Sequence, residues 1–130
     1  MNFWADVFRQ CYFIPKPTLT ENNLTDQSGR VCIVTGGYAG VGKELSKILY
    51  GKNATVYIAG RSEEKGKNAI EEIKKAHPSS DGRLEFLKVD LSDLTTIKAS
   101  AEDFTRREQR LDVLTNNAGV MNPPVGSKGK

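Results

Sequence analysis

The sequence predicts an α/β protein, a doubly wound parallel sheet of about four strands in the order 3-2-1-4, on three observations. Four short apolar runs, at 31–34, 54–59, 84–89 and 111–115, alternate with stretches that carry the period of a helix. Parallel strands need a long crossover, crossovers are right-handed by rule, and in a doubly wound sheet the reversal of strand order then lays helices on both faces. The first run passes directly into Gly36-Gly37-Tyr38-Ala39-Gly40-Val41-Gly42, whose glycines turn the chain tightly into the first helix.

A chain of 130 residues is one domain of ordinary size. Apolar content of 38% and charged content of 27% exclude a disordered or membrane-spanning class. The formal charge of +3 comes from basic residues interleaved with acidic ones, which argues against a nucleic-acid partner. Cys11 and Cys32 are too few for a disulfide framework, so free thiols and a cytoplasmic, intracellular site are expected. His77, the only histidine, has no Cys or paired carboxylates near it in sequence, and no metal site is expected.

Residues 1–29 read as an extension and linker before a domain at 30–120, with a Pro/Gly/Lys tail at 121–130 expected to be unstructured. Phe3, Trp4, Val7, Phe8 and Cys11 recur at helical spacing, and five of the ten aromatic residues fall in the first thirteen positions. The expected structure is a short helix docked on the domain and stopped by Pro15 and Pro17; the second reading is a lid, or a peripheral foothold on a membrane surface through residues 1–14. No run approaches the roughly 18 apolar residues of a transmembrane segment.

In the first helix Val41, Leu45, Ile48 and Leu49 form an apolar stripe opposite Lys43, Glu44, Ser46 and Lys47, and Gly51 offers a left-handed stop. Strand, glycine turn and helix together aim unpaired backbone N–H groups and the positive end of the helix dipole at one point, which makes a phosphate seat. The rival is a triphosphate-binding P-loop, since Gly37-x-x-x-x-Gly42-Lys43 comes close to its pattern. Glu44 stands where that loop needs a hydroxyl, and would repel the phosphates.

The second strand ends Ala59-Gly60-Arg61, with no carboxylate at its tip. A protein that prefers NAD places an acid here to accept from the ribose 2′-hydroxyl; a small residue followed by a guanidinium instead accommodates a 2′-phosphate, with Lys43 a second positive charge nearby. Ser62 caps the next helix, with Glu63 and Glu64 in its first turn, Ile70 and Ile73 on its buried side, and Pro78 beyond its end. Asp81-Gly82 turns into the third strand, which ends at Asp90-Leu91. Ser92 and Asp93 open the third helix, striped by Leu94, Ile97, Ala101 and Phe104, and the fourth strand runs into Asn116-Asn117-Ala118-Gly119.

The pattern T-G-x-x-x-G-x-G at Thr35 to Gly42, with N-N-A-G beginning eighty residues after Gly36, resembles the short-chain dehydrogenase/reductase family over about residues 30–125. The resemblance implies the N-terminal, NAD(P)-binding half of a Rossmann-type fold. It implies that Gly36, Tyr38, Gly40, Val41 and Gly42 hold the dinucleotide phosphates, that Asp90 and Leu91 hold the adenine, and that Asn116, Asn117, Ala118 and Gly119 close the site beside the nicotinamide ribose. With Arg61 the expected cofactor is NADP rather than NAD. Tyr38 and Ala39 depart from the family, which often carries Asn or Ser there, and Thr115 puts a hydroxyl where an aliphatic residue is usual.

By resemblance the function is hydride transfer between NADP(H) and a small-molecule alcohol or carbonyl substrate, run in the family by a Ser and a Tyr-x-x-x-Lys pair downstream of N-N-A-G. The single Tyr-x-x-x-Lys of this chain, Tyr12 to Lys16, precedes the fold and contains Pro15, which breaks the helical geometry that would stack the pair. No catalytic residue is therefore expected here: the chain reads as a truncated, cofactor-binding portion of an oxidoreductase. The alternative is a non-catalytic nucleotide-binding or interaction protein. A sheet ending at the fourth strand leaves an open edge, so self-association is expected.

Overall fold

The computed structural model describes residues 4, 8, 11, 12, 14 and 16–119; the expected tail at 121–130 lies outside the described residues. Strands β1 (Val31–Thr35), β2 (Thr55–Gly60), β3 (Arg83–Lys88) and β4 (Val113–Thr115) alternate with helices α1 (Gly40–Gly51), α2 (Glu63–Ala76) and α3 (Thr95–Arg107). All pairings are parallel, in the order β3-β2-β1-β4, as expected.

The two central strands are covered on both faces, which is why they read as unbroken apolar runs. Cys32, Val34, Val56 and Ile58 pack with Tyr50 of α1 and Ala69 and Ile73 of α2. Val31, Ile33, Tyr57 and Ala59 point to the other face, where Phe104 of α3 meets the Tyr57 ring edge-on at 5.1 Å between centroids. The Tyr57 hydroxyl donates to Glu108 Oε1 at 2.9 Å, and burial pushes its phenol pKa up.

α1 corrects two expectations. Its buried face is Gly42, Ser46 and Tyr50, whereas Val41 stands 80% exposed. Ser46 is fully buried because it is small: its hydroxyl donates to Gly42 O at 2.8 Å, and a Cβ on Gly37 would lie 2.8 Å from its Oγ. Small residues one i+4 step apart, Gly42 and Ser46, let α1 approach the end of β1 closely, while Leu45 and Leu49 of the expected stripe pack, half-buried, against the same core. The left-handed stop is also displaced. Gly51 stays in the helix against His77, and Asn53, with φ 70°, makes the turn, its side chain donating to Asp26 at 2.7 Å and accepting from the Asp81 N–H at 3.1 Å.

Ser62 caps α2 as expected, accepting from Lys65 N at 3.4 Å. α3 begins later than Ser92: Asp93 accepts from Thr95 N and Oγ1 in a turn just before the helix, and Ser92 is engaged by Asp90. Of the expected α3 stripe only Phe104 is buried; Leu94 is 68% exposed, and Val113 and Leu114 of β4 are exposed too. An apolar groove of about 530 Å³ lies on this face, lined among others by Ile33, Leu87, Ile97, Phe104 and Leu114. β4 is three residues long, and just before it Asp112 donates its N–H to Val31 O at 2.9 Å, accepts the Val31 N–H on its carboxylate at 2.8 Å and pairs with Arg110, whose guanidinium holds the carboxyl below the usual range.

The N-terminal positions that are described are helical at Trp4, Phe8, Cys11 and Tyr12, with the Phe8 and Tyr12 rings stacked at 4.5 Å. Trp4 is 76% exposed and Tyr12 72%. Phe3, Val7, Phe13 and Pro15 lie outside the described residues. Among the described residues no helix is long and apolar enough to cross a membrane, and no group of three metal-ligating side chains occurs.

Candidate cofactor-binding site

A cleft of about 550 Å³ opens where the C-terminal ends of the strands meet. Strand order reverses between β1 and β4, and in open parallel sheets this is where crevices for ligands form. β1 ends in Thr35 and Gly36, β2 in Gly60 and Arg61, β3 leads to Val89 and Asp90, and β4 leads to Asn117, Ala118 and Gly119.

The phosphate turn is held by close backbone approach. Gly36 (φ 67°) and Gly40 (φ 52°) take left-handed conformations, and a Cβ on Gly36 would press on Ala118 at 3.3 Å. Gly42 is excluded from carrying a Cβ by contact rather than by dihedral: the added atom would overlap Asn117 Nδ2 and sit 2.7 Å from Gly36 O. Ala39 caps α1 without a side-chain hydrogen bond and no acid lies in the first turn, so the N–H groups there face no carboxylate of their own. This geometry fits an anionic phosphate ligand.

Thr35 is the hub that the sequence reading missed. Its hydroxyl donates to Thr115 O at 3.2 Å and accepts the N–H groups of Asn117 and Ala118, each at 3.0 Å, which uses its one donor and both acceptor positions. Asn117 Nδ2 donates to Thr35 O at 3.1 Å. The signal was present, because a hydroxyl at the end of a buried strand must find partners; which partners depends on residues some eighty positions away. Thr35→Val keeps the shape and strips the acceptor. Half-exposed amides recover part of their hydration, so we expect a loss near the low end of about 1–3 kcal/mol per N–H, a melting temperature lower by roughly 5–10 °C in circular dichroism, and weaker cofactor binding. An unchanged melting temperature would refute the role of this hub.

Arg61 is exposed at the cleft rim and takes part in no ion pair among the described residues. Lys43 is placed otherwise than expected: it pairs with Glu72 of α2 and does not line the cleft. Asp90 Oδ1 accepts from Ser92 Oγ at 2.6 Å and Ser92 N at 3.0 Å; these bonds, with the charge of Arg61, hold its carboxyl below the usual range and leave Oδ2 facing no donor among those bonds. Ser92 thus orients Asp90, a second partner not seen in the sequence.

The structure brings Gly36, Tyr38, Arg61, Asp90, Leu91, Asn117, Ala118 and Gly119 into the one cleft, with Ala39, Ala59 and Gly60 beside them. Gly42 lies behind the turn, braced on Asn117. Gly40 and Val41 start α1 outside the lining of the cleft, and Asn116 lines the apolar groove on the α3 face instead.

The family model for short chain dehydrogenases matches residues 30–128. The chain belongs to the short-chain dehydrogenase family. A short-chain dehydrogenase/reductase of Phomopsis amygdali is 55% identical over 122 residues, 94% of this chain and 35% of that protein. Short-chain dehydrogenase/reductase pkfC of Emericella nidulans is 54% identical over 111 residues, 85% of this chain and 36% of that protein. This short-chain dehydrogenase chain therefore spans about a third of the length of these curated relatives. Among solved structures, a metagenomic short-chain oxidoreductase in complex with NADP superposes with a TM-score of 0.65 at 36% identity, over 72% of this chain and 41% of that one. The Pseudomonas aeruginosa RhlG/NADP active-site complex gives 0.65 at 29% identity, over 73% and 36%.

Proposed function

We propose that this chain is the NADP(H)-binding portion of an oxidoreductase that moves a hydride between the nicotinamide ring and a small-molecule alcohol or carbonyl group. The observation that carries the cofactor reading is the β2 tip: Ala59 and Gly60 bear no carboxylate, and Arg61, at the rim of the cleft, takes part in no ion pair among the described residues. Two solved relatives of the family are NADP complexes, which supports the same reading. The phosphates would lie on the glycine turn, the adenine between Asp90 and Leu91, and the nicotinamide ribose beside Ala118 and Gly119. When bound, the nicotinamide ring would supply the hydride, and these residues would hold the rest of the dinucleotide in place.

Charge-assisted hydrogen bonds contribute about 1.5–3 kcal/mol each, so NADPH is expected to bind at least roughly tenfold tighter than NADH, and Arg61→Ala to erase the difference. Fluorescence titration of both cofactors tests it, and equal affinity in the wild type would sink the assignment.

The edge of β4, which no further strand pairs among the described residues and where Val113 and Leu114 are exposed, is the basis for expecting self-association. Sedimentation at micromolar concentration should show species heavier than the 14.3 kDa monomer. A monodisperse monomer would show the edge to be protected.

A further inference from the structure

Tyr38 belongs to the phosphate turn and Gly60 closes β2, yet the two are in contact: a methyl group on Gly60 would overlap the Tyr38 ring, with Cδ1 and Cζ at 3.1 Å and Cε1 closer still. Gly60 has no left-handed dihedral, so its backbone does not require glycine; the ring does. Tyr38 also packs, half-buried, against the core cluster beneath α1 and α2. Tyr38, Gly60 and Arg61 line the same cleft, and Arg61 follows Gly60 directly in the chain.

We infer that Tyr38 is the residue that sets selectivity at the 2′-phosphate end of the cofactor, through the seat of its ring on Gly60. The ring forms a fixed wall between the phosphate turn and Arg61, and an anchored aromatic loses little conformational freedom when a ligand packs on it. The wall sets how far the adenosine ribose lies from the glycine turn, and so whether its 2′-phosphate reaches the guanidinium. Removing the ring lets the ribose settle toward the core, away from Arg61. Adding a side chain at 60 drives the ring into the space that the ribose needs. The inference rests on the NADP(H) reading of Arg61 and adds to it a neighbour that makes the arginine selective.

The test titrates NADPH and NADH, with 2′,5′-ADP and 5′-AMP as fragment probes, into the 130-residue chain by calorimetry, with folding followed by circular dichroism. Tyr38→Phe should keep the wild-type NADPH-to-NADH ratio, because the ring remains. Tyr38→Ala should reduce that ratio about fivefold or more, and the 2′,5′-ADP to 5′-AMP ratio with it, through the phosphorylated ligands alone. Gly60→Ala reaches the same contact without altering Tyr38 and should weaken both cofactors about tenfold with an unchanged spectrum. A wild-type preference that Arg61→Ala erases and Tyr38→Ala leaves intact overturns the role of Tyr38 and spares that of Arg61. Loss of the ratio in Tyr38→Phe, or wild-type affinity in Gly60→Ala, overturns the ring-seat mechanism. No preference in the wild type overturns both readings.

Discussion

Replacing Gly42 with valine is expected to weaken NADPH binding about a hundredfold. A Cβ at this position overlaps Asn117 Nδ2 and comes within 2.7 Å of Gly36 O, and neither is the free end of a flexible chain. Asn117 is bound through its main-chain N–H and its side chain to Thr35, and Gly36 N donates to Ala59 O at 2.7 Å, so relief of the clash must move either the N-N-A-G segment or the phosphate turn itself. Over-packing of this kind costs about 1–3 kcal/mol, and branched valine falls at the upper end, which is roughly a hundredfold in affinity if the strain is relieved at the cleft. Gly40→Ala is the informative comparison. Gly40 has φ 52° but nothing within 4 Å of an added Cβ, so alanine there incurs only the left-handed penalty of about 1 kcal/mol and should bind NADPH several-fold more weakly. Titration of both variants, with circular dichroism to show that the sheet is intact, separates collision from dihedral strain. Equal losses in the two would refute the packing argument.

The second expected result is that the 130-residue chain binds cofactor without turning over substrate. Contacts at the phosphate end act on ground state and transition state alike, so they lower the dissociation constant and leave the barrier where it is. General acid–base catalysis, worth about 10²–10⁴-fold, needs a group positioned at the reacting carbonyl. Tyr12 and Lys16 form the single Tyr-x-x-x-Lys, but Tyr12 lies on an exposed helical position and Lys16 outside helix, and neither lines the cleft. NADPH absorbance with a panel of aldehydes and ketones should therefore stay at background. Oxidation above background that disappears in Gly42→Val would overturn the expectation and would assign the proton transfer to a residue within 1–130.

Much of the fold is written in short-range pattern. Apolar runs of strand length and helical stripes between them mark a parallel α/β sheet from local period alone, the order β3-β2-β1-β4 follows from the resemblance to the short-chain dehydrogenase family, and the glycine spacing with N-N-A-G places the cleft at the strand ends. The missing carboxylate at Ala59-Gly60-Arg61 is equally legible, since it is a matter of residue type at a strand end. What only the tertiary structure decided involves partners distant in the chain. Helical period alone assigned Val41 to the core face and Ser46 to solvent, whereas the close approach of α1 to β1 selects small residues and reverses both. Residue type left Lys43 free for a phosphate, and only the packing of α2 beside α1 gives it Glu72. Gly51 has the chemistry of a helix stop, but His77 packs against it and Asn53 takes the left-handed turn. The Thr35 hydroxyl, bound to Asn117 and Ala118, and the Tyr38 ring on Gly60 have the same cause: hydrogen bonds and steric contacts depend on where strand ends converge, and convergence is a property of the assembled sheet.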